Sequence, residues 1–169
     1  MSSPWSLLIA PAAIAALFVP APPRLLWNTT ASAPIGFYAL QDASTLAVGD
    51  QVALRPPPRL AAWLDASGFV PDGALLLKRV AAVSPSVICR HGGRVTRDGA
   101  LVAMAEARDR FGRPLPVWSG CHALTADEVF VLNPAAGSLD GRYFGVLPRR
   151  TVVARADPLW LFGGSRDAP

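Results

Sequence analysis

Lys78 lies inside an apolar run, Ala74-Leu75-Leu76-Leu77-Lys78-Arg79-Val80-Ala81-Ala82-Val83. Burial in a strand disfavours the ammonium form and lowers its pKa, leaving an amine that can take a proton from a hydroxyl. An isolated strand lysine more commonly lays its stem along apolar surface and keeps its head in water. Period-two alternation puts Leu76, Lys78 and Val80 on one face and Leu75, Leu77 and Arg79 on the other, so one of the two basic residues turns inward or toward a groove. Base chemistry also needs a hydroxyl. Ser32 stands in Asn28-Thr29-Thr30-Ala31-Ser32-Ala33-Pro34-Ile35-Gly36-Phe37-Tyr38. That polar run reads as a solvated linker, or, because Ser-x-Pro-x-Gly enters a strand, as a fixed turn. Ser138 stands in Gly137-Ser138-Leu139-Asp140-Gly141-Arg142-Tyr143-Phe144-Gly145. By itself this reads as a surface turn with an Asp140–Arg142 pair, worth little if exposed.

The elements that must position these residues are short apolar runs punctuated by Gly, Pro and Asp. Strands are expected at Phe37–Leu40, Gln51–Leu54, the lysine run, Ser86–Arg90, Arg94–Thr96, Leu101–Met104, Val129–Leu132 and Thr151–Arg155. Gly92-Gly93 is a hairpin signal, and Gly49-Asp50, Pro71-Asp72-Gly73 and Asp98-Gly99 are turns. Pro56-Pro57-Pro58 breaks a strand, Leu60–Phe69 reads as one helix ending near Gly68, and residues 105–120 read as a loop. Many short strands with little helix predict a mostly antiparallel β-domain over 24–158 and a tail over 159–169.

Residues 5–21 carry no charge. As a helix they would span about 25 Å, the short end for a membrane crossing. They read as a single N-terminal membrane anchor, a cleaved signal peptide or a buried core helix; Trp5 and Trp27 would mark the two interfaces of an anchor. The net charge of +4 comes from scattered arginines with no basic stripe and no interleaved aromatics, which argues against nucleic-acid binding and fits a surface near anionic lipid. Cys89 and Cys121 read as a disulfide if this part is exported, as free thiols, or, with His91 and His122, as zinc ligands at a spacing that fits no common structural zinc pattern.

Taken in order, the islands resemble the serine–lysine signal peptidase family, and within it the conjugative-transfer, TraF-type pilin-processing branch. Asn28-x-Thr30-x-Ser32-x-Pro34-x-Gly36-x-Tyr38 resembles that branch's nucleophile box, and Leu77-Lys78-Arg79-Val80 the lysine box. Ser138-x-Asp140-x-Arg142-Tyr143-Phe144-Gly145 resembles the C-terminal box. Gly49-Asp50-x-Val52 and Phe111-Gly112-Arg113-Pro114-Leu115-Pro116 are similar to further elements, so the resemblance runs from about residue 5 to residue 155. It implies a signal-peptidase-like antiparallel β-domain behind one transmembrane helix. It makes Ser32 the nucleophile and Lys78 the general base. Thr30 and the backbone N–H of Ser32 become the oxyanion donors, and Ser138 the residue that orients the lysine. Pro34 and Gly36 would shape the nucleophile backbone, and Asp140 with Arg142 would brace the last box. Two departures stand out: Gly141 replaces a serine common in the family, and the nucleophile box lacks the Ser-Met-x-Pro form of housekeeping enzymes.

The implied function is a membrane-anchored serine endopeptidase that processes, and in this branch can cyclise, a conjugative pilin precursor on the outer face of the inner membrane. The implied partners are that precursor or another preprotein, the lipid bilayer and conjugative type IV secretion components; no cofactor or metal enters. The competing readings are a general signal peptidase that removes export signals and a non-enzymatic anchored scaffold of a mating-pair or secretion channel.

Overall fold

A computed structural model describes residues 24–162. The punctuated apolar runs become strands β1 (Leu25–Asn28), β2 (Gly36–Gln41), β3 (Gln51–Leu54), β4 (Leu76–Val83), β5 (Val87–His91), β6 (Arg94–Arg97), β7 (Ala100–Met104), β8 (Gly120–Ala123), β9 (Glu128–Leu132), β10 (Leu147–Pro148) and β11 (Val152–Leu161). Helices α1 (Pro58–Ala66) and α2 (Gly141–Phe144) are short. A seven-stranded sheet has the order β1-β2-β11-β3-β4-β9-β10, and a four-stranded sheet the order β7-β6-β5-β8. Every strand pair is antiparallel. The mostly antiparallel β architecture expected from the sequence is therefore what the chain adopts.

The large sheet divides the functional segments. β1 and β2 flank the Ser32 turn, β4 carries Lys78, and β11 lies between the two halves, pairing with β2 from Arg155 to Leu161 and with β3 from Val152 to Arg155. Leu76 and Val80, on the Lys78 face of β4, pack with Val52, Leu54, Leu64, Val129, Val131 and Leu147. Ala82, Ile88, Val95, Leu124 and Phe130 form a second core that joins the small sheet to the large one. A third holds Ala33, Tyr38, Leu77 and Ala156. The segment Phe111–Pro116 is tied to the end of α1: Arg113 lies over the Phe69 ring and donates to the Ser67 carbonyl at 2.7 Å.

Several elements differ from expectation. Pro58 opens α1, a first-turn position where its missing N–H costs nothing, so the helix starts earlier than Leu60. β1 and β8 form where no strand was expected. β11 extends to Leu161, past the Thr151–Arg155 stretch, and a register shift between Pro158 and Trp160 accommodates the proline. Leu159–Leu161, assigned to the tail from sequence, still belong to this strand. The 5–21 segment lies outside the described residues, and no helix among the described residues is long and apolar enough to cross a membrane.

Gly36 begins β2 beneath β11: a Cβ there would lie 2.0 Å from the Trp160 carbonyl oxygen and 2.9 Å from Leu161 Cα. Backbone cannot swing aside as a flexible side chain can. Gly36→Ala should therefore destabilise the protein by at least about 2 kcal/mol, read as a lower urea midpoint with an unchanged m-value.

Candidate functional site

The lysine side of the site is built on β4. Lys78 is 4% exposed, and its Nζ donates to Ser138 Oγ at 3.0 Å. Arg79, the next residue, faces solvent. Desolvation pulls the Lys78 pKa from 10.5 down to about 8; the Asp140 carboxylate opposes this, and the Arg142 guanidinium adds to it. The amine is thus far easier to deprotonate than an ordinary lysine. The Gly49-Asp50 turn carries the β3–β4 ladder past the lysine, with Gly49 N–H to the Val80 carbonyl and Val80 N–H to the Asp50 carbonyl, each 2.8 Å.

Ser138 is held by a buried loop. Asp140 and Arg142 form a bidentate pair, with Nε to Oδ1 at 3.0 Å and an Nη to Oδ2 at 2.9 Å, and neither is appreciably exposed. This is not the solvated surface pair that the isolated motif suggested. Asp140 also accepts from the backbone N–H of Asn133 and Arg142, at 2.9 and 3.1 Å. Arg142 donates to the carbonyls of Asn133, Ala135 and Ala136. Gly141 has a packing reason: a Cβ would sit 2.6 Å from both the Phe130 ring and the Val131 carbonyl oxygen. A serine at this position would collide with β9.

The serine side is built on the β1–β2 connection. Ser32 is half-buried, and its Oγ lies 3.3 Å from Thr30 Oγ1. Thr30 Oγ1 donates to Asn28 Oδ1 at 2.9 Å. The Pro34 carbonyl accepts from Tyr38 Oη at 2.6 Å and from Asn28 Nδ2 at 2.9 Å. Pro34 thus shapes this turn through its carbonyl, while Gly36 serves the close approach of β11.

The third core links the two sides, because Ala33 follows Ser32, Leu77 precedes Lys78, and both belong to it. In this resting arrangement each side keeps its own partner: Ser32 with Thr30, and Lys78 with Ser138.

Cys89 and Cys121 form a disulfide across the β5–β8 pair, so their sulfurs are bonded to each other and are not free thiolate ligands. His91 Nε2 is 3.9 Å from Cys121 Sγ at the exposed edge of this pair. Between Cys89 and His91, Arg90 turns inward and donates to the Arg142 carbonyl, and Trp118 Nε1 donates to the carbonyls of Gly141 and Arg142 at 3.0 Å. The small sheet therefore caps the turn that carries the Asp140–Arg142 pair. An apolar cavity of about 730 Å³, lined by Pro57, Trp63, Pro114, Phe144 and Leu147 among others, includes none of Ser32, Lys78 or Ser138.

Sequence reasoning missed Asn133 and Arg90 and gave Asn28 no role. Asn133 is buried and grips the β4 backbone on both sides of Lys78, donating to the Leu77 carbonyl at 3.0 Å and accepting from Arg79 N–H at 3.1 Å. Its only signal was an amide at the end of the apolar run Val129–Leu132, before Pro134. Chemically, the arrangement offers a weakly basic buried amine, a hydroxyl that aims it, and a half-buried serine in a rigid turn.

A family model described as signal peptidase, peptidase S26, matches residues 3–161. The chain is 35% identical over 146 residues to a probable conjugal transfer protein TraF of Sinorhizobium fredii (strain NBRC 101917 / NGR234), covering 80% of this chain and 76% of that protein. It is 33% identical over 144 residues to a plasmid transfer protein TraF of Escherichia coli, covering 78% and 80%. A conjugal transfer protein TraF of Agrobacterium fabrum (strain C58 / ATCC 33970) is 30% identical over 145 residues, covering 80% and 81%.

Two outcomes follow from the lysine side. Asp140→Asn leaves Arg142 as a buried charge without its counter-ion and should cost about 3–5 kcal/mol in urea unfolding. Lys78 has a lowered folded-state pKa, so between about 8 and 10.5 the unfolded chain binds more protons than the folded one. Wild-type stability should rise with pH across that window relative to Lys78→Met, which lacks the titration. Parallel unfolding curves at pH 7 and pH 10 measure the difference, and an unchanged gap would mean that Lys78 titrates as an ordinary lysine.

Proposed function

Because the chain belongs to the signal peptidase family, peptidase S26, we propose that it is a membrane-anchored serine endopeptidase of conjugal transfer, with Ser32 as nucleophile and Lys78 as general base. The observation that carries this reading is the buried Lys78 amine, aimed by Ser138 and with its pKa brought down to about 8. Lys78 Nζ accepts the Ser32 proton as Ser32 Oγ attacks the scissile carbonyl. The Ser32 backbone N–H and the Thr30 hydroxyl receive the oxyanion. The proton then passes from Lys78 to the leaving amine, and an acyl-enzyme remains. Water activated by Lys78 releases a linear product. Attack by the substrate's own N-terminal amine releases a cyclic one.

The substrate in this reading is a pilin precursor. Conjugal or plasmid transfer in the names of the aligned relatives favours it over bulk preprotein processing. β1 is the edge strand of the large sheet and runs directly into the Ser32 turn, so an extended substrate can pair beside the nucleophile. The same end of the sheet exposes Leu25, Trp27, Leu159, Trp160 and Phe162, with Phe37 packed against Trp27 and Phe162. Such an apolar rim, directly after the uncharged 5–21 segment, suits a catalytic domain resting on the outer face of the inner membrane.

Ser32→Ala and Lys78→Ala should each lower processing of a co-expressed pilin precursor by at least about 10³-fold. Lys78→Arg should be equally inactive, because guanidinium stays protonated. For the wild type, kcat should rise with pH through about 8 as Lys78 deprotonates. Processing that persists in either alanine variant would overturn the serine–lysine reading. Mass spectrometry of the product separates the two fates of the acyl-enzyme, since a cyclic chain lacks one water relative to the linear one.

A further inference from the structure

Asn28 is a buried polar residue that the reaction above leaves unused. Its Nδ2 reaches the carbonyls of Thr30, Ala33 and Pro34 at 2.9, 3.1 and 2.9 Å. Its Oδ1 accepts from the Thr30 backbone N–H at 3.2 Å and from Thr30 Oγ1 at 2.9 Å. These partners fix which end of the carboxamide is which, because carbonyls only accept and a backbone N–H only donates. Oδ1 is itself only an acceptor, so the Thr30 hydroxyl must be the donor in their contact. A hydroxyl carries one proton. Thr30 Oγ1 therefore presents a lone pair to Ser32, and in the 3.3 Å contact between the two hydroxyls Ser32 is the donor.

We propose that Asn28 is a positioning residue that sets the direction of this hydroxyl chain: Ser32 donates to Thr30, and Thr30 donates to Asn28. This rests on the serine–lysine reading. At rest the Ser32 proton is engaged by Thr30, and the Thr30 proton is held on Asn28. When substrate enters, Ser32 gives its proton to Lys78, and Thr30 moves its proton from Asn28 Oδ1 to the developing oxyanion. Asn28 thus keeps the oxyanion donor in place and stops it from acting as a second donor to the Ser32 oxygen, where it would blunt the nucleophile. The Nδ2 bonds hold the turn in the shape that makes this relay possible.

The test is a double-mutant cycle on the full chain in detergent, with a pilin-derived peptide as substrate and thermal unfolding run alongside. Asn28→Ala should lower kcat on the order of 10- to 100-fold with KM changed by less than about threefold. In a Thr30→Val background the same change should cost less than about threefold, because no Thr30 proton remains to be directed. A full loss repeated in the Thr30→Val background, or a loss carried by KM, would make Asn28 a brace of the turn and overturn the proposal. If Asn28→Ala has no unfolding transition, Asn28→Asp is used, which keeps the Oδ1 acceptor and gives up the Nδ2 bonds. Thr30→Val must then cost as much as it does in the wild type, and a smaller cost overturns the proposal. Ser32→Ala and Lys78→Ala run in the same assay. Activity in either sinks the underlying reading, whereas inactivity in both with an additive cycle sinks this proposal alone.

Discussion

The buried Asp140–Arg142 ion pair is the interaction around which the lysine side of the site is organised. Removing two such ions from water costs several kcal/mol each, and their mutual attraction offsets this only when the remaining donors and acceptors are satisfied. Here the pair fills its coordination from the loop itself: Asp140 takes the Asn133 and Arg142 N–H groups, and Arg142 takes the carbonyls of Asn133, Ala135 and Ala136. The chain from Asn133 to Arg142 is folded around the charges, and that places Ser138 against Lys78 and Asn133 against the β4 backbone. Asp140 and Arg142 push the Lys78 pKa in opposite directions, Asp140 the more strongly, while desolvation is the largest influence and brings the pKa down.

Burying an amine this way costs stability. A methionine-like residue among Leu76, Val80 and Val52 would pack there without the desolvation penalty. The architecture tolerates the lysine because Ser138 accepts its hydrogen bond and the β3–β4 and β4–β9 ladders hold its backbone on both sides. Among the described residues the serine side carries no comparable buried charge. Its rigidity comes from one carboxamide gathering the carbonyls of a turn.

What could be read from sequence follows from how far each signal reaches. Turn residues are local, so the Gly92-Gly93 hairpin between β5 and β6 and the Gly49-Asp50 entry to β3 were legible. β8 was not: Gly-Cys-His-Ala has little strand propensity, and the strand exists because β5 lies opposite it. β1 was hidden because Leu25-Leu26-Trp27 is a short apolar run set off from the uncharged 5–21 segment only by Pro22, Pro23 and Arg24. Lys78, Ser32 and Ser138 drew attention as residue types, yet the partner of each is a tertiary fact. Asn28 and Asn133 both sit beside turns, where asparagine is ordinary. Only their burial and the atoms they face set them apart from ordinary turn residues. Gly141 stood out only as a departure from the family's serine, and the nearness of Phe130 shows that the site has no room for a side chain.

β11 has a consequence for the order of events in the life of the chain. It separates β2 from β3, so the strand nearest the serine and the strands nearest the lysine have no backbone pairing with each other until residues 152–161 slide between them. Contacts between such distant parts of a chain form late and close large loops. A chain made from its N-terminus can therefore form the hairpins of the small sheet early, but the two halves of the large sheet meet only after β11 has been made. Until then Ser32 and Lys78 sit on parts of the chain that no strand joins, so closure of the large sheet waits on its last-made strand.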